Sequence, residues 1–209
     1  MTHPDPVSPE LGAVEVHGMT RSSFILKGAL ATGALYGAGA ISPFVGNALA
    51  TGTSDVDILN FALTLEYLET DFYRSKGKSV GLSGQAKSLA TLFGDEESDH
   101  VAALTKAITG LGGTPVKKPT FAFPVTNQAS FLKLAYELEN VGVGAYNGAA
   151  PSISDKAILG AAGSIVQVEA RHAASIAVLT ERSITPNGAF DKPLTMKQVL
   201  AKAGPLIKK

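Results

Sequence analysis

Histidine is scarce in this chain, with four among 209 residues: His3, His17, His100 and His172. His100 and His172 each close a Glu-x-x-His run, Glu97 to His100 in DEESDHVAAL and Glu169 to His172 in VQVEARHAAS. Residues three apart share one face of a helix, so each run presents a carboxylate and an imidazole together. The surrounding valines, alanines and isoleucines (Ile165, Val166, Ala173, Ile176 around Glu169) aim that face at a core. A buried carboxylate without a partner is costly enough that it must protonate or find one.

Two further glutamates complete a pattern. Glu66 in LEYLETDFY is followed seven residues later by Tyr73, and Glu139 in LENVGVGAY seven residues later by Tyr146. Seven residues is two helical turns, so each tyrosine lies on its glutamate's face. Glu66 shares its face with Leu59, Ala62 and Leu63, and Glu139 with Leu132, Ala135 and Val143. Glu66 to Glu97 spans 31 positions and Glu139 to Glu169 spans 30. One layout therefore occurs twice: Glu, Tyr two turns on, then Glu-x-x-His. Four carboxylates converging at one level carry about four negative charges, which two divalent cations neutralise while neutral imidazoles add nothing. Oxygen and imidazole donors without thiolate suit iron or manganese, and zinc less well. The expected ligands are Glu66, Glu97, His100, Glu139, Glu169 and His172, while Tyr73 and Tyr146 read by themselves as core aromatics whose hydroxyls can reach a carboxylate. No catalytic residue is assigned. Glu69 and Glu137 read as surface residues or as partners behind the ligands. Glu96 and Asp99 are expected in solvent, and Arg171 on the face turned away.

After residue 51 helical periodicity runs through almost all of the chain. The expected helices are DVDILNFALTLEYLETDFYRSK, capped by Asp55; Ser83 to the glycines at 112 and 113; NQASFLKLAYELENVGVGAYNGAA, stopped by Pro151; Ser154 to about Thr180; and TMKQVLAKA, capped by Thr195. No convincing strand is found. Short loops make the first and second helices antiparallel neighbours, and likewise the third and fourth. Between the second and third lies the proline-rich GTPVKKPTFAFPVTN. About 15 extended residues can run the ~40 Å of a long helix. The expected fold is therefore all-α, a four-helix bundle with one long crossover between helices 2 and 3 and a short C-terminal helix.

Composition removes several other classes. Lysine plus arginine and aspartate plus glutamate number 18 each, which argues against a nucleic-acid partner. Without cysteine the chain has no disulfide, thiolate metal site or thiol nucleophile. Residues 1–50 differ from the rest. TRSSFILKG followed by a glycine-rich apolar run and Ala48-Leu49-Ala50 has the parts of an export signal. A cleaved signal and a retained membrane anchor both stay open, as do starts at Met1 and Met19. The expected organisation is a signal and unstructured segment over 1–50, the bundle over 51–182, and an extension with a short helix over 183–209.

ILNFALTLEYLETDFY, EESDHVAAL, AYELENVGVGAYNGAA and VEARHAASI together resemble the ferritin-like superfamily, in its branch of exported ferritin-like and desiccation-related proteins. TRSSFILKG resembles a twin-arginine signal in which Ser22 replaces the second arginine. The resemblance implies that the six residues above are metal ligands, Glu97 and Glu139 as bridging or terminal carboxylates, and that Tyr73 and Tyr146 support them. It implies an exported protein of the periplasm, envelope or exterior that holds two iron or manganese ions and reacts with peroxide or oxygen, in the manner of a peroxidase, catalase or ferroxidase. A non-enzymatic envelope protein for stress or desiccation, with a structural or vestigial metal site, is the alternative. A hydrolytic dizinc site is weaker, because no further nucleophile or acid is evident. Membrane contact is expected only through an uncleaved signal, and a homo-oligomer is left open.

Overall fold

A computed structural model describes residues 54–208, and every regular element among them is helical. Helix α1 (Asp55–Asp71) runs on through a π-helical turn (Phe72–Lys76) and a single α-turn (Gly77–Ser79). Then come α2 (Gly84–Gly110), α3 (Gln128–Ala149), α4 (Lys156–Leu179) and the short α5 (Met196–Ala203). The nearest approach to a strand among the described residues is one antiparallel bridge, Phe121 to Ile207. The expected export signal lies outside them. No helix among them is long and apolar enough to cross a membrane.

The ends are set by side chains that satisfy the free N–H groups of each first turn. Ser54, Asn127 and Thr195 form reciprocal capping boxes with Asp57, Ser130 and Gln198. Asp55 is not the cap of α1. Its carboxylate instead accepts from the backbone of Ser154 and Asp155, at 2.8 Å each, and so pins the start of α4 to the start of α1. Asp155 caps α4. Helix α2 closes at Gly112, whose φ of 75° suits a residue without Cβ, and Gly113 N–H returns to the Ile108 carbonyl.

These contacts also fix direction. Ser83 N–H donates to Gln128 Oε1 at 2.9 Å, so α2 and α3 begin at the same end and run parallel. The crossover, residues 111–127, follows α1 along its length. Asn60 binds the backbone of Thr114 and Val116, Lys118 pairs with Asp71, and Phe123 meets Phe72 edge-on. Helices α1 and α4 therefore run one way, and α2 and α3 the other.

Glycines let the C-terminal extension dock. A Cβ on Gly148 would lie 1.9 Å from the Leu194 carbonyl oxygen, and one on Gly144 2.5 Å from Leu194 Cγ. Leu194 N–H donates to the Gly144 carbonyl. The small residues of α3 thus serve close packing, as their composition suggests. Gly160 and Gly163 of α4 do not, since both face open space. Two apolar clusters fill the bundle. The larger surrounds Phe72, Phe131 and Tyr73, and the smaller surrounds Leu63, Ile108 and Tyr146. Phe72 and Phe131 stack at 4.3 Å within the first.

Candidate metal centre

Between the clusters lies a polar layer. Glu66, Glu97, Glu139 and Glu169 are each 0 % exposed, and His172 is nearly so. Each of the four long helices contributes one of these glutamates near its middle, and antiparallel hairpins bring mid-helix positions to one level. His100 Nδ1 lies 3.3 Å from Glu66, 2.9 Å from Glu97 and 3.2 Å from Glu169. His172 Nδ1 lies 2.9 Å from Glu97 and 3.4 Å from Glu139. All six expected ligands are brought together, in two overlapping groups able to hold a metal ion: Glu66, Glu97, His100, Glu169 and Glu97, Glu139, Glu169, His172. Glu97 and Glu169 belong to both groups. The geometry puts Glu169, rather than Glu139, in the second shared position.

Unsatisfied atoms test whether these residues fit a metal. Among the described residues, the buried side-chain polar atoms without a hydrogen bond are Glu66 Oε2, Glu97 Oε1, Glu139 Oε2, both Glu169 oxygens, His172 Nδ1 and Thr70 Oγ1. All but the last belong to the two groups. Such orphans are expensive in a protein interior. His172 Nδ1 is near enough to Glu97 Oε1 for a hydrogen bond yet lacks the alignment for one. Lone pairs that converge without pairing suit a cation held between them.

The protons show the same strain. Burial pushes the Glu66 carboxyl up to about 8 from an ordinary 4.5. Burial and the charges of Glu97 and Glu66 push Glu169 well above its usual range. Burial would also raise Glu97, but hydrogen bonds from His100 and His172 bring it down to about 2. Burial would lower both histidines, yet their carboxylate partners hold His100 up at about 12 and His172 at about 11. Without a cation the imidazoles must carry the positive charge.

The two tyrosines cross over. Tyr73 donates to Glu139, and Tyr146 donates to Glu66 at 2.5 Å. Each supports the other hairpin's glutamate instead of its own. Helical side chains lean toward their own N-terminus. In antiparallel α1 and α3, each glutamate therefore leans toward the other helix's tyrosine.

Sequence reasoning missed two supporting residues, Glu96 and Phe93, and left Glu69 open between the surface and a place behind the ligands. Glu96 is not simply solvated: its Oε2 takes the His172 Nε2 hydrogen bond at 2.7 Å. That bond leaves Nδ1 free to face the cluster, the usual means of orienting a ligating imidazole. Phe93 stacks on the same ring at 3.9 Å between centroids. Glu69 is buried rather than superficial. Glu69 lies one turn beyond Glu66, so i+3 spacing puts it near the same face, while its burial depends on Gly142 across the bundle. No local signal could find Glu96, whose partner is 76 positions away. Glu137, Asp99 and Arg171 are exposed, as expected. A surface cavity of about 590 Å³, lined by Tyr73, Arg74, Lys78, Lys87 and Asp95 among others, opens beside the π-helical turn.

An up-down-down-up helical scaffold with one long crossover, enclosing a layer of carboxylate and imidazole that could hold metal, defines the class. Sequence comparison gives the family: the chain belongs to the ferritin-like domain family, whose pattern matches residues 54–182. Comparison with curated proteins gives no match.

Proposed function

We propose that this protein is an exported ferritin-like protein, of the desiccation-related branch, whose four-helix layer binds two iron or manganese ions and reacts with peroxide or oxygen. The carrying observation is the pair of buried groups sharing Glu97 and Glu169, with their converging unpaired atoms. Glu66 with His100, and Glu139 with His172, would each hold one ion, and the shared carboxylates would touch both. A bound pair of such metals supplies one-electron changes at each ion, the chemistry needed to reduce peroxide or oxygen. The chain's own part is positioning. Tyr73 and Tyr146 restrain the terminal carboxylates, Glu96 fixes the His172 tautomer, and the two apolar clusters keep bulk water from the layer. Tyr73, which lines the surface cavity beside the π-helical turn, is also the donor to Glu139. Residues 20–50 carry the export reading, with its destination in the periplasm, envelope or exterior.

A structural metal in a non-enzymatic envelope protein is the second reading. The complete burial of all four glutamates favours it. Elemental analysis of natively purified protein, beside Glu169→Ala/His172→Ala, tests the site. About two iron or manganese per chain, lost in the variant, is expected from the ligand count. Folded wild-type protein without metal sinks the proposal. Peroxide turnover by the loaded protein then separates catalyst from structural site.

A further inference from the structure

The two hairpins share the layout of Glu, Tyr two turns on and Glu-x-x-His, but they differ one turn beyond the first glutamate. One turn beyond Glu66 stands Glu69, and one turn beyond Glu139 stands Gly142. Glu69 is 3 % exposed and no described residue donates a hydrogen bond to it, although its oxygens are not among the fully buried unpaired atoms of the layer. It is absent from both ligand groups. A Cβ placed on Gly142 would lie 2.8 Å from Glu169 Oε2 and 3.5 Å from Glu69 Oε1. The missing side chain thus leaves a notch that the shared ligand Glu169 and the unpartnered Glu69 line together. A core position could hold glutamine or leucine at far lower cost, and a carboxyl group here must either stay protonated or face a positive partner, which a bound cation supplies.

Charge identifies the partner. The four ligand glutamates already balance two divalent ions. A fifth carboxylate leaves one negative charge in excess beside divalent metal, but compensates ions of higher charge. We propose that Glu69 is a fifth carboxylate of the centre, admitted by Gly142, that favours trivalent over divalent metal. This rests on the metal-binding reading above. The layer is consequently asymmetric. The extra charge enters from α1 at the Glu169 side, while α3 contributes only space. Gly142 is needed because any side chain there must displace the Glu169 carboxylate.

The test compares full-length wild type with Glu69→Gln, which keeps the shape and removes the charge. Manganese(II), and gallium(III) delivered as its nitrilotriacetate complex, are titrated separately and followed by metal content per chain and by chelator competition. Wild type should bind both. Glu69→Gln should keep manganese(II) affinity within about twofold and lose gallium(III) affinity by about tenfold or more, the range for a group supporting a metal site. Gallium affinity equal in the two proteins overturns the assignment. So does an equal loss of both metals, which marks a packing defect. Wild-type protein that binds neither ion removes the metal reading itself, a failure distinguishable because it does not depend on the variant.

Discussion

At the scale of single residues, the centre depends on groups that touch no metal-facing atom. Glu96 receives the His172 Nε2 proton and is 40 % exposed at its side chain, so replacing it disturbs one ligand and little packing. Glu96→Leu, which leaves no acceptor for Nε2, should weaken metal retention by about 10- to 100-fold, with thermal stability of the metal-free protein nearly unchanged. Chelator competition reads the first and calorimetry the second. Unchanged retention would show that Phe93 stacking alone orients the ring. Tyr73→Phe removes the donor to Glu139 and leaves a buried carboxylate oxygen unpaired. About 1–3 kcal/mol of stability should be lost, read by denaturant titration. Tyr146→Phe should match it, because Tyr146 performs the same task for Glu66.

At the scale of elements, α3 has two duties. Its inner face carries Glu139 and Tyr146, and its outer face receives the C-terminal extension at Gly144 and Gly148. Gly148→Ala places a Cβ against the Leu194 backbone, which cannot yield as a side-chain tip would. A loss of about 1–3 kcal/mol is expected, with easier proteolysis after residue 183. Gly160→Ala in α4 is the contrasting case. Gly160 faces open space in a helix interior, and alanine there should add about 1 kcal/mol. If both substitutions act alike, helix propensity rather than docking governs these glycines.

At the scale of the whole molecule, the buried layer links stability to pH. The Glu66 carboxyl is held up at about 8 against 4.5. Its contribution is complete below 4.5 and is lost as pH rises through about 8. The histidine contributions are complete below 6.5 and fade toward about 11 and 12. Glu97, held at about 2, acts in the opposite sense, but its window closes below 4.5. From about pH 5 to about pH 8 the metal-free protein should therefore lose stability, by about 1.4 kcal/mol per pH unit for each extra native-state proton. Metal must displace those protons, so loading should release them and reverse the trend. Thermal unfolding of chelator-treated protein at two pH values checks the slope, and calorimetry in buffers of different ionisation enthalpy counts the protons. A metal-free midpoint that rises with pH in this window would refute the account.

The helices, the long crossover and the six converging side chains were legible from the chain alone. Each follows from local rules: apolar period, capping residues, loop length, and scarce histidines three positions after glutamates. Spacing along one helix fixes which residues share a face. It says nothing about which partner they meet on another helix. The packed fold was needed to show that Tyr73 serves Glu139, that Glu96 holds His172, that Asp55 pins α4 rather than capping α1, and that Glu169 belongs to both ligand groups. Each of those choices depends on the antiparallel approach of helices far apart in sequence and on side chains leaning toward their own N-termini. The burial of Glu69 belongs with them, since its room comes from the side chain that Gly142 lacks.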